Sequence, residues 1–203
     1  MYGKEGAYFG SKKEGFINSL WIELIGFDNT AGDYGVGSFI NTLGFTPDRV
    51  SFHLTSIDFV NTYQGMDEEY RLPQYACSYF GHTHNDDRER QDWTNDQLKG
   101  LVDGLHQHGI QAYASFFDLE ADSGIPSLPK FCDSHPELRV VDKTGRAMPF
   151  ISMIKRFKDG SFYEDYLLKN LLRVVEDYSL DGIQLADGIS SPRLSLQEAD
   201  FSD

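Results

Sequence analysis

The stretch YLLKNLLRVVEDYSLDGIQLADG, residues 166–188, decides the fold. Its first part repeats apolar residues at helical spacing and predicts a helix over residues 163–178. Residues 180–188 then predict a short buried strand that ends on the carboxylate of Asp187. A helix that runs directly into a buried strand is typical of a parallel α/β sheet. We therefore expect functional side chains at the end of this strand, because parallel α/β folds place their sites at the carboxyl ends of strands.

Three earlier apolar runs predict strands, and a carboxylate closely follows each of them. The runs cover residues 20–27, 50–57 and 110–117, and the carboxylates are Asp28, Asp58 and Asp118. A second amphipathic helix is predicted from about Thr94 to Gly109. The apolar residues expected to face the core are Leu98, Leu101, Val102 and Leu105 in this helix, and Leu167, Leu168, Leu171, Leu172, Val174 and Val175 in the later one.

This alternation of strands and helices predicts an α/β fold with a parallel sheet and right-handed crossovers. A doubly wound sheet and a (β/α)8 barrel both fit the pattern. The barrel is favoured because the strand ends are acidic and no glycine-rich phosphate loop follows the first strand. We expect residues 1–203 to form one TIM-barrel-like domain with about four β/α units, with insertions near 61–92 and 121–160.

Such a domain is expected to be an incomplete barrel. A whole barrel takes about 250 residues, and the chain has 203. Half a barrel leaves two sheet edges unpaired, so self-association through those edges is predicted.

The composition narrows the classes of partner. The formal net charge is −14, which disfavours nucleic acid and anionic membrane surfaces, whereas a neutral sugar meets no such repulsion. No apolar run reaches the ~18 residues of a membrane span, and residues 1–13 do not read as a signal peptide. The compartment therefore stays open between the cytoplasm and secretion as part of a longer protein.

Cysteine and histidine patterns offer weaker signals. Cys77 and Cys132 lie outside any CxxC motif and are interpreted as ordinary thiols, with one disulfide as the alternative. His82 and His84 form an HxH motif in the first insertion. A metal-dependent hydrolase is one interpretation of that motif, and a polar loop over a pocket mouth is the favoured one.

Three segments together resemble the catalytic barrels of α-amylase-like and α-galactosidase-like glycoside hydrolases. QLKGLVDGLHQHGIQAY, residues 97–113, resembles their junction of helix two and strand three. HPELRVVDKTGR, residues 135–146, resembles the loop after strand three, and the opening stretch resembles helix three and strand four. The resemblance covers about residues 93–190. It implies a carbohydrate substrate, hydrolysis of a glycosidic bond, and no cofactor or metal.

The resemblance also implies roles for single residues. Asp187 matches the strand-four nucleophile or stabiliser, while Asp28 and Asp118 are placed like residues that hold sugar hydroxyls. The acid/base partner in such barrels comes from a later strand, so this chain alone is expected to be inactive. The predicted substrate-binding set is Asp28, Asp118, Glu120, Gln184, His53 and Trp93.

Strand geometry sets a condition on this site. Side chains alternate along a strand, so Gln184 and Asp187 face opposite ways if the strand is regular. If Gln184 faces the barrel interior, Asp187 must turn inward through a bend or bulge near Gly188. A non-catalytic sugar-binding barrel module, which keeps the pocket and lacks the acid, is the main alternative to the enzyme.

Overall fold

A computed structural model describes residues 16–78, 92–118 and 131–185. Its strands are β1 (Ser19–Ile22), β2 (Arg49–Ser56), β3 (Gln111–Asp118), β4 (Arg139–Val141), β5 (Ala147–Ile151) and β6 (Gly182–Leu185). Its helices are α1 (Val36–Leu43), α2 (Asp58–Asn61), α3 (Gln74–Cys77), α4 (Asn95–Gln107), α5 (Phe131–Ser134) and α6 (Tyr163–Tyr178). The α/β class predicted from the sequence is confirmed.

The central sheet has four parallel strands in the order β1-β2-β3-β6. Each new strand is added beside the previous one in the same direction. A doubly wound sheet instead reverses its order at a switch point, and the described strands show no reversal. With right-handed crossovers, this order places the connecting helices on one face of the sheet.

The helix-covered face holds the core. Val50 and Phe52 of β2 and Ala112, Ala114 and Phe116 of β3 are buried there together with residues of α4 and α6. The four apolar residues expected to face inward from α4 are all fully buried, which confirms that part of the pattern. Thr94 begins α4 with a capping box, since its side chain accepts from the amide of Gln97 and the Gln97 side chain accepts from the amide of Thr94.

Helix α6 has the predicted bounds but a narrower apolar stripe. Leu167 and Val174 are buried, whereas Leu168 and Leu172 are 51% and 62% exposed. The prediction that both face the core is therefore wrong for these two leucines. They lie on the solvent side of a helix whose buried stripe is completed by Tyr163 and Tyr178.

The first strand is shorter than predicted. β1 ends at Ile22, and a 3-10 turn over Leu24–Gly26 follows. The turn forms because the amides of Gly26 and Phe27 bond the carbonyls of Glu23 and Leu24 instead of a neighbouring strand. The apolar run thus continues into the core as a turn, with Leu24 and Phe27 fully buried.

Both predicted insertions contain structure in their described parts. The first begins at the end of α2 and includes α3, and the second includes α5 and the antiparallel pair β4–β5. Residues 79–91 and 119–130 lie outside the described ranges. Cys77 and Cys132 are both buried thiols without a disulfide. None of the helices in the described ranges is both long and apolar enough to cross a bilayer.

Candidate functional site

The sheet face opposite the core is polar. Residues paired across parallel strands point to the same side, and one such row joins His53, Ser115 and Gln184. The preceding row joins Trp21, Ser51, Tyr113 and Gly182. Burying polar side chains on a central sheet is unfavourable unless they are hydrogen-bonded or serve a ligand.

One hydrogen bond ties this face together. The Ser51 hydroxyl donates to Gln184 Oε1 over 2.5 Å, across the intervening strand β3. Gln184 therefore faces the polar side of the sheet. Ser115 lies between the two strands and is fully buried, and its hydroxyl has no hydrogen-bond partner among the described residues. The described residues around Ser115 therefore leave its hydroxyl able to form a further hydrogen bond.

His53 sits at the carboxyl-terminal side of this face. Its ring stacks on Trp21 with centroids 6.4 Å apart and an interplanar angle of 19°. Burial lowers the pKa of His53, and the nearby Glu23 carboxylate offsets part of that effect. The imidazole is therefore neutral at pH 7, a form in which one ring nitrogen donates and the other accepts a hydrogen bond.

The carboxyl ends of β2 and β3 bring two acidic residues to the same edge. Ser56 ends β2 and pairs in register with Asp118, the last residue of β3. Asp58 follows directly as the first residue of α2, with its amide donating to the Ser56 hydroxyl at 3.1 Å. Asp58 and Asp118 therefore lie at the same carboxyl end of the sheet in the chain path, and their part in a site stays a prediction.

Asp58 is the residue of this edge that the predicted site omits. It is fully buried, and its charge acts on two tyrosines. Burial raises the pKa of Tyr75, and the Asp58 carboxylate raises it further. Burial also raises the pKa of Tyr163, with smaller contributions from Cys132 and Asp58, against the hydrogen bond that Tyr163 donates to Asn61. Both phenols stay protonated and remain donors beside a buried carboxylate.

Asp28 lies in a turn after β1. Its Oδ1 atom accepts hydrogen bonds from the amide and the hydroxyl of Thr30, at 3.0 and 2.7 Å. The same residue lines a groove of about 400 Å³ together with Asp33, Ser38 and Thr42. One carboxylate oxygen of Asp28 therefore stabilises the turn, and the residue also lines the groove.

The remaining predicted site residues separate into two groups. Trp93 is fully buried and packs near the ring of Tyr34, at 6.2 Å between centroids, so it offers no face to a sugar. Asp187, Glu120, His82 and His84 lie outside the described residues. Within residues 16–78, 92–118 and 131–185, no group of three or more metal-ligating side chains is gathered.

Ser51, Ser115 and Asp58 are thus the residues of this region that the predicted site omits. A signal for the two serines is present in the sequence. In VSFHLTS (residues 50–56) and QAYASFFD (residues 111–118), small or polar residues alternate with apolar ones. A strand buried on both faces normally reads as continuously apolar, so this alternation indicates that one face of the sheet is polar.

Comparisons with known proteins add little. No protein-family model matches the sequence, and no curated protein matches it. Among solved structures, a noncanonic maltogenic alpha-amylase from Thermotoga neapolitana matches with 14% identity and a TM-score of 0.49, over 87% of this chain and 40% of the amylase. A cycloalternan-degrading enzyme from Trueperella pyogenes matches with 13% identity and a TM-score of 0.45, over 82% of this chain and 24% of the enzyme. The chain spans less than half the length of either, and likenesses this weak carry no argument about its chemistry.

Proposed function

We propose that this chain belongs to a carbohydrate-active hydrolase that cleaves glycosidic bonds at the carboxyl edge of a (β/α) barrel. The observation that carries the proposal is the polar sheet face that leads to this edge. The row of His53, Ser115 and Gln184 is turned away from the core helices, and Asp58 and Asp118 lie beyond it. Neutral hydroxyl-rich ligands match such a surface, because each sugar hydroxyl both donates and accepts hydrogen bonds.

In this proposal Asp187 is the nucleophile or the stabiliser of the anomeric carbon. It follows β6 by two residues, and β6 is the fourth strand of the sheet. Gln184 faces the polar side, so Asp187 would need an irregularity of the strand after Leu185 to reach the same side. Strand β2, which is separated from β6 by β3, has such irregularities near its carboxyl end, with register shifts against β3 between His53 and Ser56.

The other predicted ligands have supporting roles. Asp28, Asp118 and Glu120 would accept hydrogen bonds from sugar hydroxyls, and Gln184 and neutral His53 would both donate and accept them. Glycosidases require a second carboxyl group as acid, about 5–5.5 Å from a nucleophile or about 6.5–9.5 Å from a base. We place that acid on a further strand, outside the four described ones. No cofactor takes part in this chemistry.

The test is the substitution Asp187→Asn in the longest protein that contains this chain. Asn keeps the size of the side chain and removes its nucleophilic charge. We expect hydrolysis of neutral aryl glycosides to fall by at least about a thousandfold, with an unchanged circular dichroism spectrum.

The matched control is Asp67→Asn, at an exposed turn residue, which should keep wild-type turnover. Turnover retained by Asp187→Asn would contradict the assignment of the nucleophile. If the wild-type protein binds sugars but hydrolyses no neutral glycoside, the result favours the sugar-binding module instead.

A further inference from the structure

A cleft of about 440 Å³ opens in the segment that connects β3 to α6. Its lining includes His135, Glu137, Phe157, Lys158, Ser161 and Tyr166. Small-molecule sites commonly have volumes of about 300–1,000 Å³. The cleft therefore has room for a small ligand, and it uses no residue of the proposed catalytic edge.

Aromatic rings form one wall of the cleft: Phe157 and Tyr166 line it, and Phe131 packs against both of them. Phe131 stacks on Tyr166 with centroids 5.5 Å apart and an 18° interplanar angle, and lies 4.5 Å from the ring of His135. Phe157 stands nearly perpendicular to these rings, 5.1 Å from His135 and 5.3 Å from Tyr166. The Tyr166 hydroxyl donates to the Asn61 carbonyl at 2.5 Å, which fixes the wall against the end of α2. These contacts preorganise the wall before any ligand binds.

Charged groups of both signs surround this wall. Glu137 lies 3.6 Å from His135 Nδ1 and 3.9 Å from Lys158 Nζ. Burial acts to raise the pKa of Glu137, but its own backbone amide, Lys158 and His135 hold the pKa below its usual value. The Ser161 hydroxyl donates to Asp159 at 2.7 Å and keeps its lone pairs as acceptors. Hydrogen-bond donors and acceptors thus line the cleft together with the aromatic wall.

This pattern discriminates between ligand classes. An anion is repelled by Glu137 and Asp159 on a chain of net charge −14, and a cation is repelled by Lys158. A neutral sugar carries no charge and is repelled by neither sign. Its C–H face packs on aromatic rings, and each of its hydroxyls both donates and accepts hydrogen bonds.

We propose that this cleft binds a short segment of a neutral carbohydrate, with Phe157 and Tyr166 against a sugar ring and with Glu137 and Lys158 on its hydroxyls. The substrate class rests on the proposed function. The site itself is separate from Asp187, so the two can be tested independently.

The experiment measures binding of neutral tetrasaccharides of glucose, galactose, mannose or xylose units by calorimetry. All proteins carry Asp187→Asn, so that the ligand is not consumed. Lys158→Gln and Glu137→Gln each remove one charged partner without changing the aromatic wall. Lys143→Gln, at the exposed turn between β4 and β5, is the matched control. We expect at least one tetrasaccharide to bind, and each cleft variant to weaken that binding about tenfold, with the control unchanged.

Two results would overturn the inference. One is the absence of binding by every tetrasaccharide in the panel. The other is binding that both cleft variants retain at full affinity. Neither result bears on the proposed nucleophile, because that assignment depends on the loss of turnover in Asp187→Asn alone.

Discussion

Residues of the polar face depend on partners that are remote in sequence. Ser51 and Gln184 are 133 positions apart and share a hydrogen bond, and His53 stacks on Trp21. Each of these side chains occupies its place because parallel strands align residues of the same parity. The chemistry of the face therefore follows from the register of the sheet.

His53 makes stability depend on pH. Its pKa is lowered in the folded chain, mainly by burial, so the unfolded chain binds a proton more readily. The stability contributed by neutral His53 is fully present above the unfolded pKa of about 6.5, and it is lost as pH falls through the folded pKa. We expect His53→Gln to lessen the fall in Tm between pH 7.5 and 5.5, measured by differential scanning calorimetry.

His108→Gln, at the exposed end of α4, controls for the loss of an imidazole. An unchanged fall in Tm for His53→Gln would show that the buried imidazole does not govern the pH dependence.

At this scale the predicted roles of Gln184 and His53 in substrate binding stay predictions, and the predicted exposure of Trp93 is wrong. Gln184 and His53 were predicted to bind substrate, and both lie in the row that contains Ser115. Trp93 was predicted beside them because it borders the first insertion, yet it packs under Tyr34. Tertiary packing decides whether an aromatic ring at a loop boundary is exposed, and no local pattern carries that information.

Elements of the fold are joined at the amino edge of the sheet by Asp181. Its Oδ2 atom accepts from the amide of Ala112 at 2.8 Å and lies 2.9 Å from His106 Nε2. One carboxylate thereby links the start of β6 to the start of β3 and the end of α4. This contact gives the amino edge of the parallel sheet a structural role.

Removing this link should weaken the fold. Asp181→Ala leaves the Ala112 amide without that acceptor, and we expect the free energy of unfolding to fall by about 1–2 kcal/mol in urea titrations. Asp67→Ala, at an exposed turn, should change it by less than about 0.5 kcal/mol. An equal loss in both variants would mean that the link contributes nothing.

Long periodic elements are predicted well, and short ones are not. Helix α6 runs from Tyr163 to Tyr178 as its apolar spacing predicts. The β4–β5 pair was predicted as loop because its strands have three and five residues, too few for a periodic signal. Its turn depends on Asp142, whose Oδ1 accepts from Thr144 and Arg146, and on Gly145 with φ of +81°.

At the scale of the whole molecule, the described part of the chain has an unpaired sheet edge and several exposed apolar side chains. In the described part of the chain, β6 pairs on one side only, and Leu185 is 44% exposed. Leu168 and Leu172 of α6 are also exposed. Unpaired strand edges next to apolar surface favour association.

We therefore expect this chain to self-associate as its concentration rises. The double variant Leu168→Lys, Leu172→Lys should shift the distribution toward monomer in sedimentation velocity. The matched control is Ile154→Lys, because Ile154 is an exposed residue of the loop between β5 and α6. A wild-type chain that is monomeric at all concentrations would contradict the expectation.

The central claim concerns where a sugar binds, and hydrogen exchange measures that most directly. The protein carries Asp187→Asn and is saturated with a neutral tetrasaccharide that the wild-type protein hydrolyses. The account predicts slower exchange at the carboxyl edge, in residues 56–61 and 116–118, and unchanged exchange at the amino edge, in residues 109–112 and 180–182. Protection confined to the amino edge, or no protection at the carboxyl edge under saturation, would contradict it.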